Sequence, residues 1–411
     1  MNIALVLTAI KLGATAVNHC ALTDLHTADT TGRLSGGMLT DELTGEQFPV
    51  RAKGVINATG PLSDTLLAQA HHSSSAAPYT PVVQPSSGIH IALPAYFAPR
   101  TMGLIDPATS DGRVVFFLPW EGATIAGTTD APAPLPAPAT PEPRASEDDI
   151  AWVLAEVRKF VDGAKVSVRR EDVLSAWSGL RPLVRDPSHA GGGETQGLVR
   201  SHVVHVHPAT GLLTVAGGKW TTYRRMAADA VDAAVAAFGL APVEGGSRTE
   251  ELQLVGSEGW GAEMWMGLVQ RYALPEDVAQ HLAGAYGARA WELCDAYLDV
   301  RGGRERLAPG HPYIRAEVPW AVTHEYAASV PDVLGRRMRL AFVDAAETGR
   351  VLGEVGGVLG GMLGWGRGEV RREVARGRVW LREMGLEGGE PEPEPEREGW
   401  GEWVGRWVRW W

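Results

Sequence analysis

A change of residue pattern near residue 243 divides this 411-residue chain and limits the folds open to it. Before that point, short apolar runs are bounded by glycine, proline and asparagine, which is typical of strands and turns. After it, apolar residues recur at helical spacing from Glu263 to Glu383, and strand patterns become rare. The pattern predicts a mixed α/β (α+β) class, with a strand-rich domain at 1–242 and an all-helical domain at 243–387.

The last segment, 388–411, differs from both domains. It begins with an acidic Glu/Pro linker and ends in a tryptophan-rich run. An interfacial membrane helix is one interpretation, because indole rings prefer the headgroup layer of a bilayer. The alternative, which we prefer, is a disordered tail. The tryptophans stand at helical spacing with two arginines between them: Trp400, Trp403, Arg406, Trp407, Arg409, Trp410 and Trp411.

Composition excludes several classes of protein. Lys and Arg total 38 against 49 Asp and Glu, a net charge of -11, so we expect no nucleic-acid partner. The two cysteines, Cys20 and Cys294, match no zinc or redox spacing, which rules out a disulfide framework and indicates a reducing compartment. No run of about 18 apolar residues predicts a bilayer-spanning helix. The opening Met1–Ile10 lacks the basic start of a signal peptide, so no targeting segment is predicted.

Two segments carry candidate cations. The run Gly217–Arg224 predicts a glycine turn into a helix, where free backbone N–H groups and Lys219 favour an anion or an electron-rich carbonyl. A plain strand-to-helix turn explains the run equally well. Arg181 lies between a small-residue turn and a proline, and its guanidinium suits carboxylate or phosphate. A surface salt bridge is the alternative for Arg181, and Arg200 is a second candidate cation.

Histidines offer one candidate for proton transfer. His90 lies in a predicted strand beside Gly88, where it could accept a proton near neutral pH. A hydrogen-bonded structural histidine is the commoner case for a single residue. His205 and His207 stand at strand spacing, but no nearby cysteine or carboxylate completes a ligand set, so we predict no metal site.

Seven short blocks stand in one order along the chain: Asn57–Pro61, Ser86–His90, Met102–Pro107, Phe116–Trp120, Ala126–Asp130, Ala176–Asp186 and Ala216–Arg224. Together they resemble the flavin-dependent glycerol-3-phosphate dehydrogenase family in its mitochondrial form. Any one block alone is a weak match, but seven in order are specific. The resemblance covers the chain from Met1 to Leu386.

This resemblance implies a fold and an activity. The fold is an incomplete FAD-binding Rossmann-like domain with a β-sheet substrate domain and an all-helical C-terminal domain. The activity is oxidation of sn-glycerol 3-phosphate to dihydroxyacetone phosphate, with FAD as cofactor and electrons passed to a membrane quinone. The family also implies a mitochondrial location with peripheral association at the inner membrane.

The resemblance further implies roles for individual residues. The catalytic set is His90, Arg181 and Lys219, with His90 as proton acceptor or hydroxyl orienter. Arg181 and Arg200 would hold the substrate phosphate or hydroxyls. Lys219 and the helix start would face the pyrimidine edge of the flavin. The implied cofactor-binding residues are Asn57, Ala58, Thr59, Gly60, Gly218, Lys219, Thr221 and Thr222.

One expected feature of the family is missing from the sequence. No Gly-x-Gly-x-x-Gly turn, which grips the pyrophosphate of a dinucleotide, follows a predicted strand. We therefore expect a truncated form with an incomplete parallel sheet, whose unpaired edge and apolar face would be exposed. Two alternatives remain: an inactive fragment of such an enzyme, or an amine-oxidising flavoprotein of the same fold. A third interpretation is a membrane or interaction module built on the tryptophan-rich end.

Overall fold

The computed structural model describes residues 1–28, 30–73, 79–107, 109, 112–134, 143–161, 165–185, 198–199, 201–242, 247–300 and 302–385. Three of the sequence-based predictions therefore lie outside the described residues. They are the role of Arg200, the character of the 388–411 segment and the course of the chain at residues 243–246, where the domain boundary is expected.

The strands of the described chain are β1 (Cys20–Thr27), β2 (Leu34–Asp41), β3 (Gln47–Arg51), β4 (Ile56–Asn57), β5 (Val83–Pro94), β6 (Leu104–Asp106), β7 (Val115–Trp120), β8 (Ala123–Gly127), β9 (Ala131–Pro132), β10 (Ser175–Arg185), β11 (Leu198–Val199), β12 (His202–Val206) and β13 (Leu213–Gly217). The helices are α1 (Asn2–Lys11), α2 (Ser63–His72), α3 (Glu147–Arg158), α4 (Tyr223–Phe238), α5 (Met264–Tyr272), α6 (Glu276–Tyr286), α7 (Arg289–Tyr297), α8 (Glu317–Glu325), α9 (Leu340–Val343), α10 (Ala345–Leu363) and α11 (Arg367–Glu383).

The largest sheet of the described chain is antiparallel, and its strands follow the order β11-β10-β5-β8-β7-β6. The long strands β5 and β10 lie side by side in it, and β9 also pairs with β5. Successive side chains of β5 point to opposite faces of the sheet, and the two faces have different surroundings. Ile89 and Ile91 are buried on one face against Ile150 and Val153 of α3. Because side chains alternate along a strand, His90 and its neighbours at even positions point to the other face.

Two smaller sheets complete the first region. Strands β1, β2 and β3 form an antiparallel meander, and β12, β13 and β4 form the second sheet. In that second sheet β4 runs parallel to β13, with Ile56 opposite Leu213. β4 ends the strand order in the described chain, and Ile56 is 46% exposed. An apolar residue is thus exposed at the edge of this sheet among the described residues.

Past residue 247 the described chain is helical apart from one isolated bridge between Arg306 and Ile314. Two apolar cores hold these helices together, one around α10 and α11 and one around α5, α6 and α7. The mixed α/β class with a helical C-terminal region is therefore confirmed. No helix in the described part of the chain is long and apolar enough to cross a bilayer.

The helical region is fixed to the start of β10. The Ser175 hydroxyl donates to the carbonyl of Ala341 at 2.9 Å, and the N–H of Ala176 donates to the carbonyl of Met384 at 2.9 Å. Trp177 packs edge-on against Phe342, with 5.1 Å between ring centroids. These contacts hold one end of β10 against the helices and leave its Arg181 end to the strand-rich region.

One local prediction is wrong. The sequence around Arg181 predicts a stiff turn, because Gly179 and Pro182 are poor strand formers. The structure places the whole run in β10, paired with β5 from Ser175 opposite Ala92 to Val184 opposite Val83. Backbone hydrogen bonds to the long strand β5 hold this run in a strand, although Gly179 and Pro182 disfavour one locally.

Candidate active site on the β5–β10 face

The β5–β10 register brings two of the predicted site residues onto one face. Trp177 lies opposite His90, and Arg181 lies opposite Ser86. Directly opposed residues of an antiparallel pair project to the same side of the sheet. Although 91 residues separate His90 from Arg181 in sequence, the register places both side chains on the face that α3 does not cover.

The guanidinium of Arg181 is held by four hydrogen bonds. Nη2 donates to Thr128 Oγ1 at 2.8 Å and to the carbonyl of Thr129 at 3.1 Å. Nη1 donates to Asp130 Oδ1 at 3.2 Å and to Ser86 Oγ at 3.4 Å. One third of the side chain remains exposed, so the cation is fixed in direction but reachable from solvent.

A glycine pair forms the floor of this face between His90 and Arg181. Gly88 lies opposite Gly179. A Cβ added to Gly88 would lie 2.2 Å from Nη2 of Arg181, so the guanidinium rests directly on the glycine backbone. A Cβ added to Gly179 would meet nothing within 4 Å. The Arg181 guanidinium therefore covers the Gly88 backbone, whereas the space above Gly179 is open.

His90 lies one strand repeat, roughly 7 Å along β5, from Gly88 and the guanidinium above it. Its ring stacks on Trp177 with 5.9 Å between centroids. Partial burial lowers the pKa of His90, and the positive charge of Arg181 lowers it further. A neutral imidazole near neutral pH keeps a lone pair that can accept a proton.

The residues that hold Arg181 were not among the predicted site residues. Thr128 and Asp130 follow β8, and β8 pairs with β5 so that Gly127 lies opposite His90. The Ser86 hydroxyl also donates to Asp130, and the N–H of Ile89 donates to Thr129 Oγ1 at 3.1 Å. The run of small polar residues at the end of a predicted strand was the available signal.

Lys219 lies in the turn that follows β13. Gly217 and Gly218 both have left-handed φ values, near +75°, which let the chain turn from β13 into the start of α4. A Cβ on Gly217 would lie 2.8 Å from Cγ2 of Val184, so the turn packs against β10 three residues beyond Arg181. Lys219 is exposed and has no described hydrogen bond to His90 or Arg181. The turn that carries Lys219 therefore packs on a neighbour of Arg181 whose side chain points to the other face of β10, and a place for Lys219 at the site stays a prediction.

The start of α4 is exposed to solvent. Trp220, Thr221 and Thr222 are exposed, and no side chain caps the helix N-terminus. The helix is entered through a short 3-10 turn, in which the Thr222 N–H donates to the Lys219 carbonyl at 3.0 Å and the Tyr223 N–H donates to the Trp220 carbonyl. The role of Lys219 and this turn at the pyrimidine edge of a flavin stays a prediction.

Asn57 has an internal role that the sequence did not reveal. The side chain is fully buried, and Nδ2 donates to the carbonyl of Ser63 at 2.9 Å and to Thr214 Oγ1 at 3.3 Å. Oδ1 accepts from the Thr59 hydroxyl at 2.7 Å. With its polar atoms engaged, Asn57 fixes the turn after β4 and leaves only the exposed Ala58 and Thr59, with Gly60, available for contact.

Apolar side chains continue the same face beyond His90. Gly127 lies opposite Phe116, which in turn lies opposite Ile105. Phe116 is 38% exposed and Ile105 is 57% exposed. Exposed apolar side chains thus extend the face beyond His90. Among the described residues, no group of three or more His, Cys, Asp or Glu could hold a metal ion.

Two family models cover most of the chain. Residues 1–224 match the FAD dependent oxidoreductase model, and residues 247–370 match the model for the C-terminal domain of alpha-glycerophosphate oxidase. Residues 225–246, between the two matches, include the point where the sequence pattern changes from strands to helices.

Curated relatives of similar sequence carry names that fit these two family models. A probable mitochondrial glycerol-3-phosphate dehydrogenase of Caenorhabditis elegans is 46% identical over 357 residues, which are 86% of this chain and 47% of the relative. The mitochondrial glycerol-3-phosphate dehydrogenase of Homo sapiens is 47% identical over 358 residues, 84% of this chain and 47% of the relative. The chain thus spans about half the length of these curated relatives.

A solved structure shows a similar fold. The structure of the glycerol-3-phosphate dehydrogenase from Bacillus halodurans complexed with FAD superimposes with a TM-score of 0.76. The match covers 94% of this chain and 74% of that one, at 23% sequence identity. At this identity the likeness establishes the fold.

Proposed function

Because this chain belongs to the FAD-dependent oxidoreductase family, we propose that it serves the oxidation of sn-glycerol 3-phosphate to dihydroxyacetone phosphate with FAD. The observation that carries the proposal is the pairing of a fixed cation, Arg181, with a neutral histidine, His90, on one open face. A small phosphorylated alcohol needs both groups: a cation for its phosphate and an acceptor for its hydroxyl proton.

Each residue of the face has a distinct task in this proposal. Arg181 binds the phosphate and so fixes the distance of the carbinol carbon from the cation. His90 accepts the hydroxyl proton at an imidazole nitrogen, which its lowered pKa keeps free at neutral pH. Trp177 stacks on the His90 ring and limits its rotation. Arg200, which lies outside the described residues, is proposed as the second substrate cation.

When bound, FAD supplies the acceptor for the hydride that leaves the carbinol carbon. Lys219 and the start of α4 would face the pyrimidine edge of the flavin, where negative charge grows on reduction. The turn at Ala58–Gly60 would support the dinucleotide part. Passage of the electrons to a membrane quinone, a mitochondrial location and peripheral attachment to the inner membrane complete the proposal, in keeping with relatives named mitochondrial.

The test measures substrate binding and turnover separately. Calorimetric titration of the full chain should show binding of glycerol 3-phosphate and none of glycerol, which lacks the phosphate. Arg181→Ala should weaken glycerol 3-phosphate binding about 10- to 100-fold, the range for losing hydrogen bonds to a charged group. With FAD added, glycerol 3-phosphate should reduce an artificial electron acceptor and yield dihydroxyacetone phosphate.

Arg271→Ala is the matched control, because Arg271 is also a partly exposed arginine paired with an aspartate, but it lies in the helical region. Its affinity for glycerol 3-phosphate should equal that of the wild type. Equal affinity of the wild type for glycerol and glycerol 3-phosphate, or an unchanged affinity in Arg181→Ala, would refute the proposed role of Arg181. Oxidation of a small amine in place of glycerol 3-phosphate would point to an amine-oxidising flavoprotein.

A further inference from the structure

The hydrogen bonds of Arg181 raise a question about how it can bind a substrate. A guanidinium has five N–H donors, and bidentate binding of phosphate uses two parallel ones. In this structure Nη1 and Nη2 together make four hydrogen bonds to protein groups. An incoming phosphate must therefore replace at least one of the four acceptors.

The four acceptors are not equally replaceable. Thr129 and Ser86 are almost fully buried, at 2% and 5% exposure, so they are fixed within the sheet. The side chain of Asp130 is 60% exposed, and its bond to Nη1 is 3.2 Å long. The bond from Nη2 to Thr128 is shorter, at 2.8 Å. Asp130 also accepts from the Ser86 hydroxyl. Because Asp130 is the exposed member of the set, it is the acceptor that a ligand can reach and displace without moving a buried group.

Asp130 is also the charged member of the set. Thr128, Ser86 and the Thr129 carbonyl are neutral and can orient a guanidinium without opposing an anion. A carboxylate at the same guanidinium occupies the place of a substrate anion and repels that anion as it approaches. The set therefore divides into neutral groups that orient the cation and one carboxylate that competes for it.

We propose that Asp130 is an internal counter-ion that occupies Arg181 until a phosphate displaces it, and that Thr128 is the positioning residue that keeps the guanidinium over Gly88. This inference rests on the proposed function, since it takes Arg181 as the substrate cation. The charge of Asp130 lowers the affinity of Arg181 for other anions. The hydroxyl of Thr128 fixes the orientation of the Arg181 guanidinium.

The experiment titrates inorganic phosphate into the full chain at low ionic strength by calorimetry. Asp130→Asn keeps an acceptor for Nη1 and removes the charge. It should bind phosphate about fivefold tighter, the Coulomb effect of one unit charge at about 4 Å in water. Raising the salt concentration should reduce the difference between the wild type and Asp130→Asn, because salt screens exposed charges.

Thr128→Val removes the orienting hydroxyl and should weaken phosphate binding, whereas Thr128→Ser keeps the hydroxyl and should restore it. Thermal unfolding of each variant checks that the fold is intact. Weaker or unchanged phosphate binding in Asp130→Asn would overturn the counter-ion role, and a Thr128→Ser variant as weak as Thr128→Val would overturn the positioning role. Equal phosphate binding by the wild type and Arg181→Ala would instead refute Arg181 as the anion site, and with it the proposed function.

Discussion

His90 on the β5–β10 face and His281 in the helical region have pKa values that are shifted in opposite directions. Partial burial and the nearby Arg181 lower the pKa of His90. Burial alone would also lower the pKa of His281, but the charge and hydrogen bond of Glu317 outweigh it and raise the value. The sign of the neighbouring charge, more than burial, separates the two histidines.

The surroundings of His281 are those of a structural residue. Its Nε2 lies 2.8 Å from Glu317 Oε2, which also accepts from the Tyr286 hydroxyl at 2.8 Å. The N–H of Ile314 donates to Glu317 Oε1 at 2.7 Å, and Glu317 is fully buried. The His281–Glu317 pair is buried, so its role is to hold the surrounding helices in one arrangement. His90, in contrast, is partly exposed and keeps a lone pair that can accept a proton.

The two histidines also contribute to stability with opposite pH dependence. His90 has a folded pKa below its ordinary value of 6.5, so its contribution is present above pH 6.5 and is lost as the pH falls toward the folded value. His281 has a folded pKa above 6.5, so its contribution is complete below pH 6.5 and is lost as the pH rises through the folded value.

The largest predicted effect is in the helical region. Glu317→Gln should lower the free energy of unfolding by about 3–5 kcal/mol, the cost of removing one partner from a buried ion pair. Urea unfolding at pH 6 measures this loss. Glu258→Gln is the control, since Glu258 pairs with Lys11 at the surface, and it should leave stability unchanged. An equal loss of unfolding free energy in the two variants would show that the buried pair is no more important for stability than the exposed one.

A smaller effect is predicted for the floor of the site. Gly88→Ala places a methyl group where Nη1, Nη2 and the Thr129 carbonyl now lie within 2.5 Å of the Cβ position, so the guanidinium must move. Phosphate binding should weaken about tenfold, as for one lost charge-assisted hydrogen bond. Gly179→Ala, opposite Gly88 and open above, should keep the wild-type affinity within about threefold. Calorimetry that finds both variants equal would show that the guanidinium does not depend on Gly88.

The smallest effect concerns the coupling of His90 to Arg181. Arg181→Gln removes the positive charge and should move the His90 pKa upward, toward 6.5, while burial keeps it from reaching that value. NMR titration of the imidazole resonances measures the shift. His281 provides an internal control, because its pKa should not change. A His90 midpoint that stays fixed would show that burial alone determines it.

Much of this fold follows from local sequence. The apolar runs at 82–93, 123–127 and 212–215 each predict a strand, and β5, β8 and β13 lie there in the structure. The glycine turn at Gly217 predicts the helix that follows it, which is α4. Ser146, three residues before Asp149 and ahead of an apolar helical stripe, predicts a helix cap, and its Oγ accepts from the Asp149 N–H at 3.1 Å at the start of α3. β10 was missed because Gly179 and Pro182 oppose a strand locally, and only pairing with β5 overcomes that preference.

The site was predictable in its principal residues and not in their partners. His90 and Arg181 stand out by residue type and flanking glycines, whereas the link from Arg181 to Thr128 and Asp130 depends on the register of β10, β5 and β8. The closed pair of His281 and Glu317 joins positions 36 residues apart, which no local pattern reveals. Contacts set by register or by helix packing are therefore the part that sequence alone cannot supply.

The most direct test of the site follows the His90 imidazole by NMR while glycerol 3-phosphate is added to the full chain. We predict a saturable shift of the His90 resonance, no shift of His281, and loss of the response in Arg181→Ala. An unmoved His90 resonance, or an equal response in Arg181→Ala, would contradict the claim that cation and histidine serve one substrate.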